Sequence, residues 1–248
     1  MKQTLAYALL ASSLLATPAF AGAVGYVKSP GVDKGKFQVE YKGVRLGDDK
    51  KSKNNNQEHE FEVYYGLTDR LKFGMEVEAE RESGESLDVE KYAPNLQYEL
   101  TEQGEWWLSS AIYGAYGFAD KASAANKAKL IAIVEREQGP WEILANLKAE
   151  REMGDNRKNG IIIYSSLQTV YEWRDYIEPG FEWHAKHGKT NDFSDENNRE
   201  HYVGPIIEGD LYEDEKSEVE YQFGYFWGVN DNAADNAARV LLEYSVKF

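Results

Sequence analysis

Side-chain polarity alternates residue by residue through most of this chain, and the alternation restricts the fold more than any other feature. Between Glu58 and Leu67, one parity holds three glutamates and the other holds His59, Phe61, Val63, Tyr65 and Leu67. A period of two places successive side chains on opposite faces of an extended strand. The pattern resumes after Thr68 and Asp69, which predicts a hairpin with one polar and one apolar face.

The same alternation predicts about twelve strands. They cover residues 36–46, 58–67, 71–80, 88–100, 105–118, 127–137, 141–152, 160–172, 176–187, 200–212, 218–228 and 238–248. The connections are alternately short and long. Short turns on one side, longer polar loops on the other and an even strand number are typical of an outer-membrane barrel. We therefore predict an all-β fold, a closed antiparallel transmembrane β-barrel with short periplasmic turns and longer extracellular loops.

In such a barrel the apolar parity faces lipid. Charges on this parity occur only near strand ends, for example at Arg45, Arg81 and Arg136. A lipid-facing arginine at the bilayer midplane costs about 2–4 kcal/mol. Tryptophans near strand ends predict two aromatic membrane girdles: Trp106, Trp141, Trp173, Trp183 and Trp227. The alternative is a soluble sandwich or lipocalin-like barrel with the apolar parity inside, but the aromatic faces of twelve strands would overfill that interior.

The N-terminus has the three parts of a secretory signal peptide: a short segment with Lys2, an apolar stretch at 5–16, and the sequence Ala-Phe-Ala at 19–21. We predict cleavage after Ala21. Residues 1–21 are then the signal peptide and residues 22–248 the barrel domain. Residues 22–34 carry no strand pattern, and they form either a short periplasmic lead or an inserted plug.

The C-terminal ten residues alternate cleanly and end on Phe248. With Tyr244, Val246 and Phe248 on one face, this segment resembles the terminal signal of bacterial outer-membrane proteins. That resemblance implies a location in the bacterial outer membrane. It also implies two partners, the lipid bilayer and the barrel-assembly machinery.

Residues 64–75, Tyr-Tyr-Gly-Leu-Thr-Asp-Arg-Leu-Lys-Phe-Gly-Met, resemble a repeat in the family of outer-membrane proteins linked to meta-pathway phenol degradation, which is regarded as a transporter family. The length and strand count are also similar to those of oligogalacturonate-specific and sialic-acid-type monomeric porins. Those porins carry a basic lumen, and this chain does not. No residue roles follow from either resemblance.

The polar parity faces the predicted lumen and is rich in acids. The candidate selectivity residues are Glu60, Glu62, Glu76, Glu78, Glu80, Glu178, Glu182, Glu208, Asp210 and Glu220. Two arrangements are open: acids and bases pair and fill the lumen, or the acid excess lines a water-filled pore and favours cations. With 43 acids against 28 bases the chain carries a net charge of −15, so a nucleic-acid partner is not expected.

The sequence gives little support for an enzyme or a cofactor. It has no cysteine and four histidines, and no histidine forms a His-x-Ser pair. We predict no enzymatic activity and read the serine pairs at 109–110 and 165–166 as small space-filling residues. We predict no metal site; the alternative is a divalent ion at His184, His187 and His201. The spacing of the first two puts their rings on opposite strand faces, which argues against that site.

The leading hypothesis is a channel for passive diffusion of small solutes with a preference for cations. The alternative is a plugged barrel without pore activity, in which surface loops act as an adhesin or collect metal.

Pro94, Pro179 and Pro205 lie inside predicted strands, where proline removes a ladder hydrogen bond, so they predict bulges or interruptions.

Overall fold

Twelve antiparallel strands follow one another along the chain and close into a single barrel. The computed structural model describes residues 24–101, 106–193 and 199–248. The strands are β1 (Lys36–Gly47), β2 (Gln57–Gly66), β3 (Leu71–Arg81), β4 (Asp88–Thr101), β5 (Ser109–Ala119), β6 (Asn126–Gln138), β7 (Trp141–Met153), β8 (Ile162–Tyr171), β9 (Glu178–Lys189), β10 (Glu200–Glu213), β11 (Ser217–Gly228) and β12 (Asn236–Lys247).

Closure comes from the pairing of the first and last strands. Strand β1 pairs with β2 on one side and with β12 on the other, from Lys36 opposite Lys247 to Gly47 opposite Asn236. Every strand therefore has two neighbours and no sheet edge remains, as a hydrocarbon environment requires. The predicted fold class, a closed antiparallel β-barrel of twelve strands, is confirmed.

The outer wall is apolar and the inner wall is polar, as the alternation predicts. Large apolar side chains with more than a third of their surface exposed point outward on every part of the wall, for example Phe61, Leu96, Leu147, Phe223 and Leu242. Buried glutamates, lysines and glutamines point inward. Within the described ranges, no helix is long and apolar enough to cross a membrane. The apolar outer wall makes this chain a membrane-embedded barrel and excludes the soluble alternative.

Strand β6 contains apolar residues on both parities, which left its orientation open from sequence. In the structure Leu130 and Val134 are exposed on the outer wall, whereas Ile131 and Ile133 are buried inside. The two isoleucines pack with Tyr64, Ala111 and Tyr113 in one buried cluster. This part of the interior is therefore filled by apolar side chains.

The strand boundaries lie within two residues of the prediction, except at the start of β5. Strand β5 begins at Ser109 and not at residue 105, so Trp106 lies in the preceding turn and not on a strand. Strand β9 begins at Glu178 and ends at Lys189, two residues later than predicted at each end, and the β8–β9 register skips His187. The predicted signal peptide at 1–21 lies outside the described residues.

The three strand prolines coincide with gaps or ends in the strand pairing. The β4–β5 register omits Ala93 and Pro94, and the β10–β11 register omits Gly204 and Pro205. Pro179 lies just beyond Gly180, the last β9 residue paired with β8. The ladder is interrupted at these places because proline has no N–H to donate.

Candidate functional site in the lumen

Residues 24–34 enter the barrel from its short-turn end and run through the lumen; we call them the inner segment. At the entrance, the Gly35 N–H donates to the Gly66 carbonyl at 2.9 Å. A Cβ atom at position 66 would lie 1.9 Å from the Asp33 carbonyl oxygen. Glycine is therefore needed at Gly66 for the inner segment to turn past β2. Of the two placements left open by the sequence, the inserted plug is the observed one.

Polar side chains of the wall hold the middle of the inner segment by its backbone. The Lys28 N–H donates to Asn146 Oδ1 at 2.7 Å, and Asn146 Nδ2 donates back to the Lys28 carbonyl at 2.9 Å. Gln97 Nε2 donates to the carbonyls of Ser29 and Pro30 at 3.0 and 2.9 Å. These contacts satisfy backbone groups that would otherwise be costly to bury.

The Lys28 side chain is neutralised inside the lumen. Its ammonium lies 3.0 Å from a Glu62 carboxylate oxygen and donates to the Tyr64 hydroxyl at 2.8 Å. It also lies 4.7 Å from the centre of the Tyr113 ring, within cation–π range. An acid, two phenols and a buried lysine therefore form one connected group across the lumen.

The tip of the inner segment is apolar and lies toward the long-loop end. Val24 is buried in a cluster with Val44, Leu46, Tyr202 and Phe226, on the inner face of β1, β10 and β11. The Gly25 carbonyl accepts a hydrogen bond from Arg239 Nη1 at 2.5 Å. Apolar burial and a charge-assisted hydrogen bond thus fix the tip.

Arg239 belongs to a buried polar network on the same side of the lumen. Its Nη2 lies 2.6 Å from Glu182 Oε1 and also donates to Gln222. Glu182 in turn contacts His184 Nε2 at 2.5 Å. Glu182 and Arg239 are 0% and 3% exposed, so each charge depends on the other for compensation.

The glutamates of the β2–β3 hairpin are largely paired with lysines. Lys42 lies within ion-pair distance of Glu40, Glu60 and Glu62. Lys91 contacts Glu78, and Lys129 lies 3.2 Å from Glu76. Glu80 lies opposite Glu58 in the register. Across this half of the lumen the predicted acid excess is mostly neutralised, because lysines on β1, β4 and β6 face the same space.

Above the inner segment a cavity of about 430 Å³ opens toward the long loops. Its floor includes Gly25, Tyr26 and Lys28. One wall carries carboxylates from β2 and β3, and the other carries lysines from β6, β7 and β9. At the rim, Lys121 lies 3.2 Å from Glu90, and this hydrogen bond raises the pKa of the Lys121 ammonium. The cavity is therefore charged on both sides.

The short-turn half of the lumen is acidic. Glu178, Glu208, Asp210 and Glu220 face inward there, as do Glu135 and Glu142. Glu208 accepts hydrogen bonds from Gln168 and Gln222. In the described part of the chain no ion pair to Lys or Arg is formed by Glu135, Glu142 or Glu178. Inward carboxyl groups without a basic partner thus remain in this half.

Three groups of carboxylates come close enough to share a cation. They are Glu58 with Glu60 and Glu78, Glu60 with Glu62 and Glu76, and Asp210 with Glu218 and Glu220, each with ligand atoms within 4.8 Å. Lysines already contact each group. Lys42 contacts Glu60, which belongs to the first two groups, and Lys91 contacts Glu78 of the first. Lys36 lies 3.3 Å from Glu218 of the third group. These acids are therefore better described as parts of ion-pair networks.

The three histidines named as an alternative metal site are not gathered at one place. His184 lies inside, beside Glu182. His187 and His201 lie on the outer wall, where their rings are 5.9 Å apart and both contact Trp183. A site built from all three is therefore excluded, because the barrel wall separates His184 from the other two.

Ser165 differs from its predicted space-filling role. Its hydroxyl lies 2.7 Å from His187 Nε2 on the outer wall. No carboxylate contacts His187 among the described residues, so the pair lacks the third group that orients the base in a hydrolytic triad.

The predicted girdle tryptophans all lie outside the lumen. Trp106, Trp141, Trp173 and Trp227 are strongly exposed, whereas Trp183 is half-buried between the two outer histidines. Trp107, which the sequence did not indicate as a girdle residue, is 63% exposed and lies under the Arg136 guanidinium.

At the C-terminus, Tyr244 and Phe248 point outward and the Phe248 N–H donates to the Gly35 carbonyl.

Several lumen residues carry no signal in the sequence. Lys28 belongs to the inner segment, and Gln97, Asn146 and Arg239 gain their roles only because they contact that segment. The one available hint is the non-alternating stretch at 22–34, which has no strand partner to satisfy its backbone.

Comparison with known proteins shows similarity of fold. A solved outer-membrane channel from Pseudomonas putida F1 is 14% identical, with 91% of this chain and 100% of that chain covered and a TM-score of 0.65. The NanC porin is 9% identical over 85% of this chain and 100% of its own, with a TM-score of 0.56. The KdgM porin, solved with disordered oligogalacturonate, is 7% identical over 85% and 99%, with a TM-score of 0.52. No protein-family profile and no curated protein matches the sequence.

Together, the closed twelve-stranded sheet, the apolar outer wall and the charged lumen define an outer-membrane β-barrel. The structural neighbours have the same fold, that of bacterial outer-membrane channels and porins.

Proposed function

We propose that this protein is an outer-membrane channel for the passive diffusion of small solutes, with a preference for cations. The observation that carries the proposal is the row of inward carboxylates in the short-turn half of the lumen. Glu135, Glu142 and Glu178 face this space without a basic partner in the described part of the chain. Uncompensated negative charge in a narrow, low-dielectric passage favours cations and disfavours anions.

The inner segment makes the resting channel narrow. It crosses the lumen between Asn146 on one wall and Gln97 on another, so a solute passes beside it or displaces it. The neighbouring structures are a channel and two porins by name, which supports transport as the general activity. The cavity above the segment is the entrance from the long-loop side.

A second candidate is a barrel closed by its own inner segment. The favouring observation is that backbone hydrogen bonds, a buried ion pair and an apolar tip all hold this segment in place. In that case the parent protein does not conduct, and the exposed loops carry the function.

The test is conductance in a planar bilayer with a salt gradient across the membrane. We expect small steady openings and a reversal potential of the sign given by cation preference. A variant that lacks residues 24–33 but keeps the signal peptide should conduct more. Current in the deletion variant alone would favour the closed barrel. An anion-sign reversal potential, or no current in either protein, would contradict the proposed channel.

A further inference from the structure

The outer wall carries two arginines that the channel does not use. Arg45 on β1 and Arg81 on β3 point away from the lumen near the long-loop ends of their strands. Neither forms an ion pair or a side-chain hydrogen bond with the described residues. A guanidinium without an acid partner at a membrane surface is available to bind an anion from outside the protein.

The register places the two arginines in one row. Arg45 lies opposite Gln57 on β2, and Gln57 lies opposite Arg81 on β3. Since neighbouring strands are about 4.8 Å apart, the arginines are separated by about 10 Å, with the Gln57 amide between them. His59 lies one step below and is held by Gln57 at 3.3 Å and by Tyr41 at 2.8 Å. The row thus offers polar donors at its centre and a cation at each end.

No acid interrupts this part of the wall. All glutamates of β1, β2 and β3 lie on the inward parity. Apart from His59, the outward residues below the row are apolar or aromatic. Tyr41, Phe61 and Val77 among them form a continuous ladder across the three strands. Phe61 is 53% exposed. A cationic row above an apolar surface is complementary to an anionic lipid, whose headgroup would lie at the row and whose acyl chains would lie on the apolar surface below.

We infer that Arg45, Gln57 and Arg81 bind the phosphorylated headgroup of an outer-leaflet lipid, whose acyl chains lie on Tyr41, Phe61 and Val77. A headgroup with two phosphates suits two arginines whose backbones are about 10 Å apart, because each guanidinium can hold one phosphate through paired N–H donors. The site is separate from the lumen and does not depend on the proposed channel activity.

Other arginines of the outer wall supply the control. Arg151 points outward near the long-loop end of β7, four strands from Arg81, and has no arginine in register beside it on β6 or β8. Arg151 therefore has the same charge as each arginine of the row and a similar depth in the membrane, but it has no second arginine beside it. Arg151→Gln therefore reports the effect of losing one outward cation at the same level of the membrane.

The experiment is native mass spectrometry of the purified full-length mature protein in detergent, with diphosphorylated lipid A as the probe. We expect a one-to-one complex that persists in the parent and in Arg151→Gln. In the double variant Arg45→Gln with Arg81→Gln, the apparent affinity should fall roughly tenfold to thirtyfold, as expected for two surface cations. Each single variant should give an intermediate loss, and heat-modifiable migration on gels checks that every variant is folded.

Two further arms identify the ligand source. Lipid A stripped of both phosphates should bind the parent as weakly as intact lipid A binds the double variant. A millimolar excess of inorganic phosphate should not displace the lipid, because phosphate lacks the acyl chains that contact the apolar ladder. Equal retention by the parent and the double variant would overturn the inference. So would equal binding of the stripped lipid, or full displacement by inorganic phosphate.

Discussion

The side-chain amide of Asn146 binds the backbone of Lys28 in both directions, accepting from its N–H at 2.7 Å and donating to its carbonyl at 2.9 Å. An asparagine side chain can do both at once because its amide carries a carbonyl acceptor and an NH2 donor. This contact joins β7 to the inner segment at mid-lumen. It is one of several wall contacts that fix the position of the inner segment in the lumen.

Replacement of Asn146 by leucine should therefore loosen the inner segment. Each hydrogen bond contributes about 0.5–1.5 kcal/mol, so the loss of both favours the displaced segment by about 2 kcal/mol, or roughly 30-fold. We expect larger or more frequent openings in planar bilayers. Asn156→Leu, in an exposed loop where the side chain binds only the Ala122 carbonyl, should conduct like the parent. Equal conductance of Asn146→Leu and the parent would show that this contact does not hold the passage closed.

The charge preference should depend on the short-turn half of the lumen. Conversion of Glu142, Glu178 and Glu220 to glutamine keeps their size and removes three inward carboxyl groups. We expect the reversal potential in a salt gradient to move toward zero, since less fixed charge attracts cations. Glu215→Gln, in the exposed turn between β10 and β11, is the matched control. An unchanged reversal potential in the triple variant would place the selectivity elsewhere.

Loss of Arg239 alone should destabilise the barrel more than loss of both charges of the Glu182–Arg239 ion pair. Arg239→Met leaves a fully buried carboxylate without its cation, which costs about 3–5 kcal/mol. We expect a lower unfolding temperature, read from the loss of heat-modifiable migration. Adding Glu182→Gln should recover much of that loss, because it removes the uncompensated charge. A double variant that is as unstable as Arg239→Met would contradict this account and favour the Arg239 bond to Gly25 as the main contribution.

Phe248 should affect assembly more than stability. Its side chain is 85% exposed, so Phe248→Ala removes little packing from the folded barrel. If this residue belongs to an assembly signal, less folded protein should reach the outer membrane in cells. Refolding of the purified variant into detergent should match the parent. Normal assembly in cells, or an equal defect in refolding, would argue against the signal.

Much of the barrel follows from local pattern. A period of two in the side chains determines both the strand and the wall that each residue faces, because successive Cβ atoms alternate across a strand. This is why twelve strands and an apolar outer wall were predictable. It did not determine the orientation of β6, where Ile131 and Ile133 are as apolar as their outward neighbours. In the structure these two residues pack inside the barrel with Tyr64, Ala111 and Tyr113.

The sequence predicted which residues face the lumen, but it did not predict which acids and bases form ion pairs there. Glu62 and Glu182 were expected to face inward, and they do. Their partners are Lys28, 34 residues away from Glu62, and Arg239, 57 residues away from Glu182. No local rule connects residues at such separations.

The sequence by itself determined the alternation, and with it the strands, the closed sheet and the polarity of the two walls, since these follow from backbone geometry and the exclusion of charge from lipid. Only the tertiary structure decided where the inner segment lies and which acids remain without a basic partner. Both depend on which side chains the curvature of the barrel brings together across the lumen. The distances between residues on different strands are not encoded in any short stretch of the chain.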